Sequence, residues 1–160
     1  DLVAGLRDEQ GLQGKMVVGV GGLVAEPLAT LGARAMTIDP RVKDYKFPQI
    51  VGVDRMARFV SGSLVEEEKL ETKADVVMSS RVLAAYSGAG GDIEQEMLWG
   101  QMVEMMKIGG YGVHLVEGEP WHKYIEPQIK MGKLELIFGF PDPKTAADIN
   151  DVLIVVKRIN

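Results

Sequence analysis

The sequence predicts an α/β protein, a three-layer sandwich around a mostly parallel seven-stranded sheet with an antiparallel last strand. Three observations lead there. Short apolar, β-branched runs alternate with helix-patterned stretches, the arrangement that builds a parallel sheet with crossover helices. The first and fourth runs are apolar nearly throughout, as strands buried on both faces are. The last two runs lie too close together for a helical crossover, so they pair head to tail.

The seven runs are "KMVVGV" (15–20), "RAMTID" (34–39), "RFVSGS" (58–63), "ADVVMS" (74–79), "YGVHLVE" (111–117), "LELIFGF" (134–140) and "VLIVVKRI" (152–159). After the first, "LVAEPLATLG" (23–32) has apolar residues near helical spacing and ends at Gly32, a C-terminal cap. Pro27 is expected in the first turn or two of that helix, where its missing N–H is tolerated. "DIEQEMLWGQMVEMMKIGG" (92–110) reads as a helix capped by Asp92, with acids in the first turn, Lys107 in the last and Gly109–Gly110 as the stop. "WHKYIEPQIKMG" (121–132) is a third helix, interrupted by Pro127. Only "PDPKTAADINDV" (141–152), rich in turn signals, separates the final two strands.

Composition sets bounds. The chain of 160 residues, 46% hydrophobic and without a seam, reads as a single domain over 1–160 with a substantial core. A net charge of −5 argues against nucleic acid as the partner, because neutralising phosphates needs clustered Lys and Arg. The absence of cysteine excludes disulfides, thiolate metal sites and a cysteine nucleophile, and fits a reducing compartment. Two histidines without thiols are a poor start for a metal cluster. No apolar run approaches a membrane span and the N-terminus lacks a signal-peptide layout, so a cytoplasmic protein away from membranes is expected.

Residues 15–40, "KMVVGVGGLVAEPLATLGARAMTIDP", carry the first chemical signal. A strand, a glycine turn and a helix in that order bring backbone N–H groups and the positive end of the helix to one point. Glycine suits the turn because it permits unusual backbone angles and lets a ligand approach the chain closely. Gly19, Gly21 and Gly22 form that turn. Asp39 follows Gly19 by twenty residues, the offset at which an acid ending the second strand meets ribose hydroxyls. The dinucleotide pattern G-x-G-x-x-G/A is incomplete, since Val24 holds its third position. Three readings stay open on this motif: a dinucleotide, an adenosyl cofactor, or glycines that merely permit a tight turn.

The order of the motifs carries a resemblance. "GARAMTIDP" (32–40), "ADVVMSSRVL" (74–83) and "MVEMMKIGGYGVHLVEG" (102–118), followed by the antiparallel ending at 134–159, resemble successive parts of the class I S-adenosylmethionine-dependent methyltransferases, a Rossmann-like family. They correspond to its second strand, its fourth-strand motif, its helix, glycine turn and fifth strand, and its reversed seventh strand. The likeness covers essentially the whole chain. The first motif departs from the family's acid-x-Gly-x-Gly-x-Gly. With Gly21 as the first glycine, Gly19 stands at the acid position and Leu23 and Ala25 replace the next two glycines; with Gly19 first, Val17 stands at the acid position.

The resemblance implies S-adenosylmethionine as cofactor and a small molecule as methyl acceptor. Gly19, Val20, Gly21 and Gly22 would lie against the methionine portion and Asp39 would hold the ribose. Ser63 and Leu64 would flank the adenine, and Ser79 and Ser80 would sit beside the reacting methyl group. The missing acid motivates an alternative, a methyltransferase-like module retained for binding a protein partner. A third reading, an NAD-binding oxidoreductase domain, rests on Gly19-x-Gly21 and Asp39 and is disfavoured by the reversed terminal strand.

Candidate catalytic groups are few. His122, in "EGEPWHKY", is placed after the fifth strand as a base that Glu117 or Glu119 would orient, with Ser80 as a second candidate. His114, inside the fifth strand, reads as a buried core histidine. Arg81 reads equally as a grip for an anionic substrate or as half of a salt bridge. "SGAGGD" (87–92) reads as a lid or a helix lead-in, and "EEEKLE" (66–71) as a solvated face. The methionines of "MLWGQMVEMM" recur near helical spacing and read as core, or, if exposed with Trp99, as an adaptable patch for a partner.

Overall fold

A computed structural model describes residues 11–21, 26–29, 31–39, 58–61, 73–83, 92–143 and 151–160. Seven strands form one sheet: β1 Met16–Val20, β2 Arg34–Asp39, β3 Arg58–Ser61, β4 Ala74–Ser80, β5 Met106–Val116, β6 Leu134–Phe140 and β7 Val152–Arg158. Their order is β3-β2-β1-β4-β5-β7-β6. The first five are parallel to one another, and β7 runs antiparallel to both β5 and β6. Each strand falls on one of the expected runs, and the sheet has the expected mixture of directions.

The helices are α1 Glu26–Ala29, α2 Asp92–Met105, and a stretch after β5 that changes pitch twice. That stretch comprises α3 Gly118–Pro120, a π-helical segment Trp121–Ile125, and α4 Glu126–Lys130. Pro127 explains the change. In a regular helix its ring meets the carbonyl four residues back and it offers no N–H, whereas the wider π turn relieves that conflict.

Side chains leave β1, β4 and β5 alternately to the two faces, and each face has its own core. On one, Val18, Val20, Val77 and Val116 pack with Leu98, Trp99, Met102 and Val103 of α2 and with Trp121 and Ile125 of the π segment. On the other, Val17 and Ala35 pack with Leu12, Ala33 and Leu28 of α1. The three-layer arrangement follows from this two-sided burial. Trp99, Met102 and Met105 are fully enclosed and serve the core, so Trp99 offers no surface to a partner, whereas Met97 on the same helix is exposed.

Two boundaries differ from expectation. α2 stops at Met105 and not at Gly109–Gly110, because its last carbonyls are taken from afar. Arg158 Nη1 donates to Val103 O at 3.1 Å, Glu104 O at 3.0 Å and Met106 O at 2.9 Å, and Lys73 Nζ donates to Glu104 O at 2.6 Å. Lys107 accordingly lies in β5 rather than a last helical turn, where its Nζ pairs with Asp75 Oδ1 at 3.0 Å. At the end of α1, Gly32 takes φ +89° and Ala33 N returns a hydrogen bond to Leu28 O at 3.2 Å, the cap expected there. Pro27 is the second residue of the described α1. The "EEEKLE" face and residues 87–91 of the 87–92 loop lie outside the described residues.

Candidate functional site

The sheet order sets the location. Chain progression reverses between β1 and β4, and ligands of open α/β sheets bind beyond the carboxyl ends of the strands at such a switch point. One row of paired residues crosses the sheet there. Val60 of β3 pairs with Ile38 of β2, Ile38 with Val20 of β1, and Val20 with Ser79 of β4; Ser79 pairs with His114 of β5, His114 with Ile154 of β7, and Ile154 with Gly139 of β6. Ser79 and His114 are the polar pair in an otherwise apolar row.

Gly19 lies in β1 between Thr37 and Met78, and Val20 is the last residue of that strand. Gly21 turns the chain with φ +74° and donates its N–H to Ile38 O at 3.0 Å. A Cβ there would come within 2.2 Å of Val82 Cγ2, from the segment that follows β4. Glycine is therefore required at position 21 by backbone conformation and by the approach of Val82. Gly22, Ser63 and Leu64 lie outside the described residues, and of Asp39 only the backbone is described, at the end of β2 beside Ser61.

Beyond the row the β4 chain turns sharply. Ser79 is buried, Ser80 is exposed, and Arg81 takes φ +54°, a left-handed conformation that costs a non-glycine residue roughly 1–2 kcal/mol. Two contacts hold it there. Its N–H donates to Leu115 O at 2.8 Å, and its guanidinium engages the Asp151 carboxylate with two nitrogens, Nε lying 2.9 Å from Oδ1. Of the two readings of Arg81, the structure shows the salt bridge.

Under this rim Ser79 Oγ and His114 Nδ1 are 2.8 Å apart and buried. The His114 ring lies over Gly112, where a Cβ would come 2.4 Å from Nε2, and meets Trp99 edge to face at a centroid distance of 5.0 Å. Burial holds its pKa down at about 3, so the ring is neutral at physiological pH. Among the described residues its Nε2 has no hydrogen-bond partner.

His122 sits in the π segment, six residues past the end of β5. Its Nδ1 is 3.0 Å from Glu126 Oε2. The orienting acid is thus Glu126 rather than Glu117 or Glu119, and Glu119 pairs instead with Lys123 at 2.6 Å. The hydrogen bond from His122, then that from Lys130, holds the Glu126 carboxyl below its usual range. A neutral imidazole donating from Nδ1 keeps its lone pair on Nε2, the form a general base needs. The i, i+4 spacing of His122 and Glu126 was visible in the sequence, but an acid upstream looked nearer to the strand end.

The opposite end of the strands carries a cavity of about 550 Å³, lined by Lys15, Asp75, Lys107, Tyr111 and the apolar Val76 and Met78. Its charges are largely matched to one another. Partial burial pushes the Asp75 carboxyl up, but the Met16 N–H at 2.8 Å, Lys107 and Lys15 together hold it below its ordinary value.

No protein-family model and no curated protein matches this sequence. Solved structures do match. A TehB-like SAM-dependent methyltransferase from Corynebacterium glutamicum superposes with a TM-score of 0.66 at 20% identity, over 97% of this chain and 86% of that one. The class I methyltransferase fold is therefore present. Magnesium protoporphyrin IX methyltransferase from Synechocystis, with bound SAM, gives a TM-score of 0.64 at 16% identity over 98% of this chain and 76% of its own. The N-methyltransferase NodS from Bradyrhizobium japonicum, in complex with S-adenosyl-L-homocysteine, gives 0.60 at 14% identity over 92% and 80%. Within this methyltransferase fold the Ser79–His114 pair and the Gly21 turn stand together at the switch point, and His122 with Glu126 stands on the helical stretch that follows β5.

Proposed function

We propose that this chain is an S-adenosylmethionine-dependent methyltransferase acting on a small-molecule acceptor in the cytoplasm. The observation that carries the reading is the sheet order with its reversed β7, which puts the switch point between Val20 and Ser79. The chemistry of that point suits a cationic sulfonium cofactor. The described rim offers backbone acceptors and the Ser79 and Ser80 hydroxyls, and its one cation, Arg81, is engaged by Asp151. Gly19, Val20, Gly21 and Gly22 would carry the methionine portion through backbone groups, and Asp39 would accept from the ribose hydroxyls. Ser63 and Leu64 would flank the adenine, with Ser79 and Ser80 beside the methyl group.

When bound, the cofactor supplies an electrophilic methyl group on sulfur. The protein then needs only to align the acceptor and, where the acceptor is protonated, to remove a proton. His122 would serve that second task with Nδ1–H donated to Glu126, and since its Nε2 is buried, the ring must turn toward the acceptor before Nε2 takes the proton. Its removal is expected to lower kcat on an ionisable acceptor by about a hundredfold while leaving cofactor affinity unchanged.

A second reading has its own support. No acid stands at the motif position before the glycines, and Val82 lies against Gly21, as a fold retained for protein binding would tolerate. Calorimetric titration with S-adenosylmethionine, S-adenosylhomocysteine and NAD separates the readings, with Asp39→Ala as the control. Micromolar binding of an adenosyl ligand, lost in the variant, supports the transferase. No binding of any ligand favours the protein-binding module, and binding of NAD alone favours an oxidoreductase domain.

A further inference from the structure

The Ser79–His114 pair is not what packing alone would select. It interrupts a row of apolar residues, it buries two polar side chains, and it leaves His114 Nε2 without a partner among the described residues. Buried polar groups cost desolvation that a valine and a leucine in the same places would avoid. The surroundings nevertheless accommodate the ring, with Gly112 bare beneath it and Trp99 edge-on above. Ser79 itself is the last buried residue of β4, adjacent to Val20 at the switch point.

A neutral imidazole can accept at Nδ1 only if its proton is on Nε2. In that tautomer the Ser79 hydroxyl must donate to the ring, and Oγ is left with lone pairs alone. We propose that His114 is a positioning residue that holds Ser79 as a pure hydrogen-bond acceptor for a cationic group, the ammonium at the methionine end of the adenosyl cofactor. This rests on the reading that the switch point takes such a cofactor. Without His114, the Ser79 hydroxyl could rotate its proton toward the cleft and repel the same ammonium. The residue would act through Ser79 and touch no ligand.

The test compares two ligands that differ in the amino-acid end, the part that carries the ammonium. S-Adenosylhomocysteine carries the ammonium; 5′-methylthioadenosine keeps the nucleoside and the thioether but lacks the amino-acid end. Ser79→Ala and His114→Leu are each expected to weaken S-adenosylhomocysteine binding about tenfold, the scale of one charge-assisted hydrogen bond. The double variant should lose no more than either single one. Affinity for 5′-methylthioadenosine should stay unchanged, and His114→Asn, whose Oδ1 falls near the place of Nδ1, should restore most of the loss. Equal losses for both ligands, additive losses, or no loss would overturn the positioning role. Failure of the unmodified protein to bind either ligand would overturn the cofactor reading and this proposal with it. If a variant does not fold, nitrogen-15 NMR of the unmodified protein decides: protonation at Nε2 supports the proposal and protonation at Nδ1 overturns it.

Discussion

His114 is the residue at which stability and the site meet. Its imidazole titrates at about 3 in the folded protein because it is fully buried, against about 6.5 in an open chain. Between those values the unfolded chain binds a proton that the native state does not, so stability must fall as pH falls from 6.5 toward 3. One such proton contributes up to about 1.4 kcal/mol per pH unit. Denaturant unfolding at pH 7, 6.5, 6 and 5.5, where carboxylates are almost wholly ionised, should show this decline, and His114→Asn should flatten it; an equal slope in the variant would exclude His114 as the source. Gly112 gives a second check. An alanine there would bring its Cβ 2.4 Å from His114 Nε2 and 3.0 Å from Val156 Cγ2, so Gly112→Ala is expected to cost about 1–3 kcal/mol, as overpacking does. At Gly21 the penalty combines a positive φ with the contact to Val82, and Gly21→Ala should lower the melting temperature even with no ligand present.

At the scale of elements, the C-terminus of α2 is held by β7. The Arg158 guanidinium gathers two carbonyls at the end of the helix and that of Met106 just beyond it, and reaches Glu104 Oε2 at 3.0 Å, while only 12% of its side chain meets solvent. Arg158→Met should therefore destabilise the protein by about 1 kcal/mol or more in denaturant unfolding, the cost of leaving the partly buried Val103 and Met106 carbonyls unsatisfied. Arg158→Lys should recover only part of this, because an ammonium lacks the planar fork that spans several acceptors. Full recovery by lysine would show that charge alone holds the end. The same contact explains why the helix boundary was not legible in the sequence. Lys107 and Gly109–Gly110 formed a plausible local stop, whereas the groups that end α2 are Lys73 and Arg158, one on either side of it and far away in the chain. The strands were legible for the opposite reason. A strand buried on both faces is an apolar run wherever its partners lie, and "KMVVGV" and "ADVVMS" needed no knowledge of the register to be read.

For the whole molecule, what mattered most was the order of strands, and the motifs followed one another in the order that the sheet requires. The site itself was only half legible. Gly21 and the serines ending β4 lie beside the switch point of the sheet, but the pairing of Ser79 with His114 depends on the register between β4 and β5, which no local pattern encodes. The most direct measurement of the central claim is a titration of isotope-labelled protein with S-adenosylhomocysteine, followed by backbone amide NMR. The account predicts that the perturbed amides cluster at Val20, Gly21, Asp39 and Ser79–Arg81, at the carboxyl ends of β1, β2 and β4. Perturbations confined to the cavity around Lys15, Asp75 and Lys107 at the opposite end of the strands, or none at saturating ligand, would contradict it.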